Sequence, residues 1–148
     1  MPRSKITSQS KDIISDDGSI LVSVIEGEQV RLHIQLGWIT NLTGYTLEAK
    51  VVEGANVQGS GSTPTDPQPS GQVTTLDIID TTTTDNEFDI VIPSTLIDNW
   101  ATTPEPSQPI YGFIELSVAD SGTGSSQQVW KPLRGMVAVY YSATEAGS

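Results

Sequence analysis

Every second residue of Val30–Leu36 is apolar: Val30, Leu32, Ile34 and Leu36 alternate with Arg31, His33 and Gln35. A period of two is the pattern of a strand buried on one face. The alternation resumes after a short connection bounded by Gly37 and Gly44, where Tyr45, Leu47, Ala49 and Val51 share a face opposite Thr46, Glu48 and Lys50. A slip of one residue in either strand would turn its apolar set to solvent, so this pair fixes the register of whatever packs against it.

The same reading extends along the chain. Ser19–Glu26 is a strand with Ile20, Val22 and Val24 on one face, and Val73–Ile79 is one anchored by Val73 and Leu76. Glu87–Ile92 presents Phe88, Ile90 and Ile92, while Ile110–Val118 presents Ile110, Gly112, Ile114, Leu116 and Val118. Gln127–Ser142 reads as a long final strand, bent near Pro132 or Gly135. Leu96, Ile97 and Trp100 stand at helical spacing after a Ser/Thr cap, which predicts one short helical turn over 93–100 with Trp100 covering the end of the fold. The prolines of 102–109 exclude both helix and central strand there, and Asp120–Ser126 reads as a hairpin-like loop.

These elements predict an all-β chain: a single immunoglobulin-like β-sandwich of about seven strands with one short helical turn and an extended N-terminal arm. Residues 1–18 are the arm, 19–142 the sandwich and 143–148 a small polar tail. A Gly/Pro/Ser-rich loop over 54–72 has strands on both sides, so it reads as an excursion within one domain. Leu32, Ile34, Leu47, Val51, Ile114 and Val137 are the expected core.

A chain of 148 residues can bury about 70% of its unfolded surface without a disulfide or a metal. It has no cysteine, which excludes thiol chemistry and Cys-based zinc sites. Its net charge is −11, and between Asp12 and Trp130 the only basic side chains are Arg31 and Lys50. A field of that sign repels phosphate backbones and argues against nucleic acid as a partner. The opening MPRSKITSQSK lacks the apolar stretch of a secretory signal. No apolar run reaches the roughly 18 residues of a membrane span, so a soluble protein without membrane contact is expected. Arg3, Lys5 and Lys11 make the arm weakly basic against an acidic body. That asymmetry predicts an arm that docks elsewhere than on its own domain, offering Ile6, Ile13 and Ile14 to a neighbour.

Two segments carry a resemblance. Asn41-Leu42-Thr43-Gly44-Tyr45-Thr46-Leu47-Glu48-Ala49-Lys50-Val51 resembles a segment of immunoglobulin-like domains in bacteriophage baseplate and tail proteins. There, as with Gln29–Leu36 here, it follows a strand that opens the domain. Val129–Tyr141 is similar to the last strand of small structural proteins in tailed phages of marine bacteria. The resemblance implies a virion structural protein, made in the host cytoplasm and assembled into the tail or baseplate. Its partners would be other virion proteins and copies of itself, with a capsid decoration protein as the alternative. Sandwiches of this kind host many unrelated functions, so role is argued from surfaces.

Little in the chain speaks for catalysis. His33 is the only histidine, on the outward phase of its strand, with no nucleophile or metal partner near it in sequence. Asp77, Asp80, Asp85, Glu87 and Asp89 do not have the spacing of a calcium loop and read as solvated turn carboxylates. A spatial pair of carboxylates stays open, because sequence does not reveal such a separation. Asn41-Leu42-Thr43 matches a glycosylation sequon, which without a secretory signal reads as chance. The expectation is no enzyme, no metal and no cofactor.

Surface remains. With Ile110, Ile114 and Val118 inward, Tyr111 and Phe113 point outward; with Leu133, Val137, Val139 and Tyr141 inward, Trp130, Met136 and Tyr140 do. Together they predict a protein-binding patch on a sheet face, unless one of these strands is buried on both faces or the 102–109 loop covers them. The competing class is a carbohydrate-binding module in which Trp38, in its glycine-flanked loop, stacks on a sugar ring.

Overall fold

In the computed structural model, residues 4–8, 19–55, 71–79 and 85–143 are described, with the backbone alone for 4–8 and 19. The strands are β1 (Ser4–Ser8), β2 (Ser19–Ile25), β3 (Val30–Leu36), β4 (Thr46–Glu53), β5 (Val73–Ile79), β6 (Glu87–Ile92), β7 (Ile110–Ala119) and β8 (Val129–Tyr140). The all-β expectation holds, and β2–β8 are the seven strands that the alternation marks. Ile13, Ile14, residues 56–70 of the long loop and 144–148 of the tail lie outside the described residues, as does the side chain of Ile6.

The strands form one mixed sheet in the order β1-β3-β6-β5-β4-β7-β8-β2, rolled until it nearly closes. β5 is the joint. Val73–Leu76 pair with Val52–Ala49 of β4, and the next three residues, Asp77–Ile79, pair with Val91–Asp89 of β6. The expected pair of separate layers is thus continuous through one strand. Its two halves are β1-β3-β6 and β4-β7-β8-β2.

Pairing at the margins also differs from expectation. Ser4–Ser8 runs antiparallel to β3 of its own chain, with Thr7 opposite His33. This part of the arm therefore docks on its own domain, because β3 would otherwise present an open edge. β2 runs parallel to β8 and comes so close at Gly135 that a Cβ there would overlap the Ile20 carbonyl oxygen. Only glycine permits that approach.

The core follows the alternation. β3 buries Val30, Leu32, Ile34 and Leu36, and β6 meets them with Phe88, Ile90 and Ile92. Val51, Ile114, Leu116, Val137 and Val139 line the other half. Two expected anchors depart from this. Leu47, near the start of β4, is half-buried against the core, and Val73 is exposed because it stands opposite outward-facing Val52.

Over 93–100 the helical turn is replaced by three successive turns, in which the amides of Leu96, Asp98 and Trp100 donate to the carbonyls of Pro93, Thr95 and Ile97. Pro93 lacks an amide hydrogen, and no described side chain caps the segment. A 3-10 helix stands instead at Gly124–Ser126, inside the β7–β8 hairpin loop. Trp100 does cover the core as expected. Its ring lies on Gly112, where a Cβ would stand 2.6 Å from the indole Cη2. Buried Glu53 ties this region together: its carboxylate accepts the amides of Ala101 at 2.8 Å and Gln72 at 3.3 Å.

Candidate functional site

The alternation that builds the core also sorts outward side chains into two faces. On the β3–β6 half, register sets His33 opposite Asp89, with Arg31 two pairs along on the same face. Arg31 Nη2 donates to Asp89 Oδ2 at 2.7 Å, and His33 Nδ1 meets Asp89 Oδ1 at 2.7 Å. His33 Nε2 meets Glu87 Oε1 at 2.9 Å. Glu87 and Asp89 are thus strand residues, and Asp89 is only 3% exposed, which corrects their reading as solvated turn carboxylates.

His33 has partners after all, and both are carboxylates. Both ring nitrogens face carboxylates, an arrangement satisfied when both carry protons. The hydrogen bond to Glu87 first, and that to Asp89 next, raise its pKa above the usual 6.5, with burial opposing. A general base needs an unprotonated nitrogen directed at a substrate, and here neither nitrogen is open. Among the described residues no cluster of His, Asp and Glu is arranged to hold a metal ion.

The β4–β7–β8 half carries the opposite kind of face. Val73, Val52, Phe113, Met136 and Leu21 stand in register across β5, β4, β7, β8 and β2. They form a continuous apolar stripe on the outside of the sheet, with Val73 and Leu21 each 55% exposed at its ends. Five strands at about 4.8 Å spacing make it roughly 19 Å long. Half-buried Tyr111 stands in the next row, and beyond it Tyr140 pairs in register with Ile25, both exposed. Four of the five expected patch residues, Tyr111, Phe113, Met136 and Tyr140, thus share this face. Sequence reasoning did not single out Leu21, Ile25 and Val52, although Leu21 and Val52 lie on the outward phase of their strands, and it took Val73 for a core anchor.

Trp130 is the exception. Between Leu116↔Leu133 and Val118↔Trp130, one residue of β7, Ser117, opposes two of β8, a bulge at Lys131-Pro132. An inserted residue reverses the alternation, so Trp130 faces the side that Val118 does and packs against the core. Its ring lies 6.0 Å from Trp38 and 6.1 Å from Tyr45, tilted against both. Trp38, the candidate sugar platform, is half-buried in this cluster with its indole nitrogen enclosed and unpartnered. A stacking platform presents an open ring face, whereas Trp38 helps to close the core.

No protein-family model matches the chain, and no curated protein is similar to it.

Proposed function

We propose that the chain is a non-enzymatic structural module that works by burying the outer face of β5-β4-β7-β8-β2 against another protein. The stripe from Val73 to Leu21 carries this reading. A sheet face turned to water ordinarily alternates toward polar residues, and contiguous apolar patches rich in aromatic residues and Met are the mark of interaction sites. The resemblance of Asn41–Val51 and Val129–Tyr141 supplies the setting: the virion of a tailed phage, in its tail or baseplate, with a capsid position as the alternative.

Mass spectrometry of purified particles from the genome that encodes the chain tests the setting. Peptides of this protein at a structural copy number are expected, and their absence overturns the virion reading. The face itself is tested by replacing Phe113 and Met136 with Ser. Incorporation should be lost while the purified domain keeps its circular dichroism spectrum; unchanged incorporation would overturn the interface.

A further inference from the structure

The middle of the stripe borders a groove of about 540 Å³. Val52, Phe113 and Met136 form the apolar wall, and Lys50, Glu115 and Arg134 the facing one. We propose that this groove receives an extended acidic–apolar segment of another protein, its carboxylates on Arg134 and Lys50 and its apolar side chains on the stripe. This identifies the partner of the face described above and rests on that reading.

Charge carries the argument. In a chain of net charge −11, the Lys and Arg residues whose side chains are described are Arg31, Lys50, Lys131 and Arg134. Arg31 is engaged by Asp89 on the other half, and the remaining three stand on or beside the groove. Lys50 pairs with Glu48 at 3.4 Å and Lys131 with Glu115 at 3.0 Å, all four side chains about half exposed. Exposed pairs of this kind contribute little and exchange readily. Glu115 stands opposite Arg134 in register, yet its carboxylate meets Lys131. Exposed Arg134 therefore has no ion pair among the described residues. A guanidinium beside an apolar wall suits a carboxylate, which it binds in two-pronged fashion, flanked by apolar side chains.

Dimensions fit an extended segment. The groove crosses three strands, roughly 10 Å or about three residues at 3.3 Å each, and the stripe continues beyond it at both ends to roughly 19 Å, or about six residues. Side chains of such a segment alternate, sending apolar groups to one wall and carboxylates to the other. A second copy of this chain is a poorer occupant. A whole copy of charge −11 brings far more negative charge against this body than one short segment seated on Arg134 and Lys50 does. A two-fold axis along the strands that stacks stripe on stripe would also set Lys50 over Arg134, and Glu115 over Glu115.

The probe is a synthetic heptapeptide alternating Ile or Val with Glu, titrated into the full ¹⁵N-labelled chain. Two control peptides replace either every Glu by Lys or every apolar residue by Ser. Saturable amide shifts at Phe113, Arg134 and Met136 with the acidic–apolar peptide alone are expected. Arg134→Glu should weaken that binding at least tenfold while leaving the thermal midpoint in place. Equal binding of the Lys peptide, indifference to Arg134→Glu, or no shifts with any peptide would overturn the proposal. Concentration-dependent dimerisation abolished by Phe113→Ser would also overturn it, in favour of a second copy, while leaving the interaction face intact. Neither peptide binding nor self-association, with incorporation into particles unaffected by the Phe113 and Met136 substitutions, would remove the face reading as well.

Discussion

The two outer faces of this sheet are made by the same alternation and end in opposite conditions. On β3–β6, Arg31, His33, Glu87 and Asp89 satisfy one another within 2.7–2.9 Å. On β4–β7–β8, the outward positions hold Val52, Phe113 and Met136, and the cation beside them, Arg134, has no ion-pair partner among the described residues. One face consumes its own chemistry and the other leaves it available. Opposite charges placed across strands stabilise a sheet that has no further neighbour, whereas apolar side chains in the same positions gain their free energy only from something that covers them. The proposed interface rests on that contrast, in a domain whose interior does not distinguish the two halves.

The largest effects test that shared interior. Ile34→Ala beneath the charged face and Ile114→Ala beneath the apolar face remove fully buried side chains. Each should cost about 2–5 kcal/mol, read as a lower urea midpoint at unchanged slope. If one substitution costs much less than that, its half is not part of a common core and the comparison fails.

Next comes the charged face alone. Asp89→Ala leaves Arg31 and His33 without the carboxylate that both contact. Removing a buried hydrogen-bonding partner costs about 1–3 kcal/mol, and chemical denaturation would measure it. A neutral result would mean that Asp89 is dispensable and that the two faces differ less than their geometry implies.

The seven strands β2–β8 were legible because burial on one face leaves a period of two, and Val30–Leu36 and Ile110–Ala119 show it without interruption. Three features were not, each for a physical reason. Whether Ser4–Ser8 pairs with β3 depends on an open edge, which the arm's own residues do not encode. The flip of Trp130 depends on one extra residue at Lys131-Pro132; a bend near Pro132 was expected, but its consequence for parity could be drawn only once β7 supplied the register. The change of partner within β5 leaves its alternation irregular, so Val73 read as an anchor although it faces out. The two faces stand differently in this respect. Phe113 and Met136 follow from phase alone, while His33 and its carboxylates lie 54 and 56 residues apart and meet only through the β3–β6 register.

A smaller effect should depend on pH. The pKa of His33 is raised by the hydrogen bonds to Glu87 and then Asp89, so the folded state binds its proton more tightly than the unfolded chain does. That contribution is fully present below the unfolded value near 6.5 and is lost as pH rises through the higher folded value. Because the pairs are partly exposed, it amounts to about 1 kcal/mol or less. Wild type should therefore exceed His33→Gln in stability at pH 6 and converge with it at alkaline pH. A difference that instead grows with pH would mean that the imidazole is held neutral.

The smallest effect is the most telling for the apolar face. Leu21 is 55% exposed at the end of the stripe, on the edge strand β2. An apolar side chain already in water has little transfer free energy to lose, and substitutions at such positions fall within about 0.5 kcal/mol. Leu21→Gln combined with Val73→Gln, equally exposed at the other end of the stripe, should accordingly move the thermal midpoint by no more than about 2–3 °C. The same pair should shorten retention on a hydrophobic-interaction column, because the stripe is what the resin contacts. Asp89→Ala should show the reverse: a lower midpoint with retention of the native state unchanged. A large fall in midpoint for the Gln pair would mean that the stripe holds the fold together. The two faces would then differ only in the means by which they stabilise the domain.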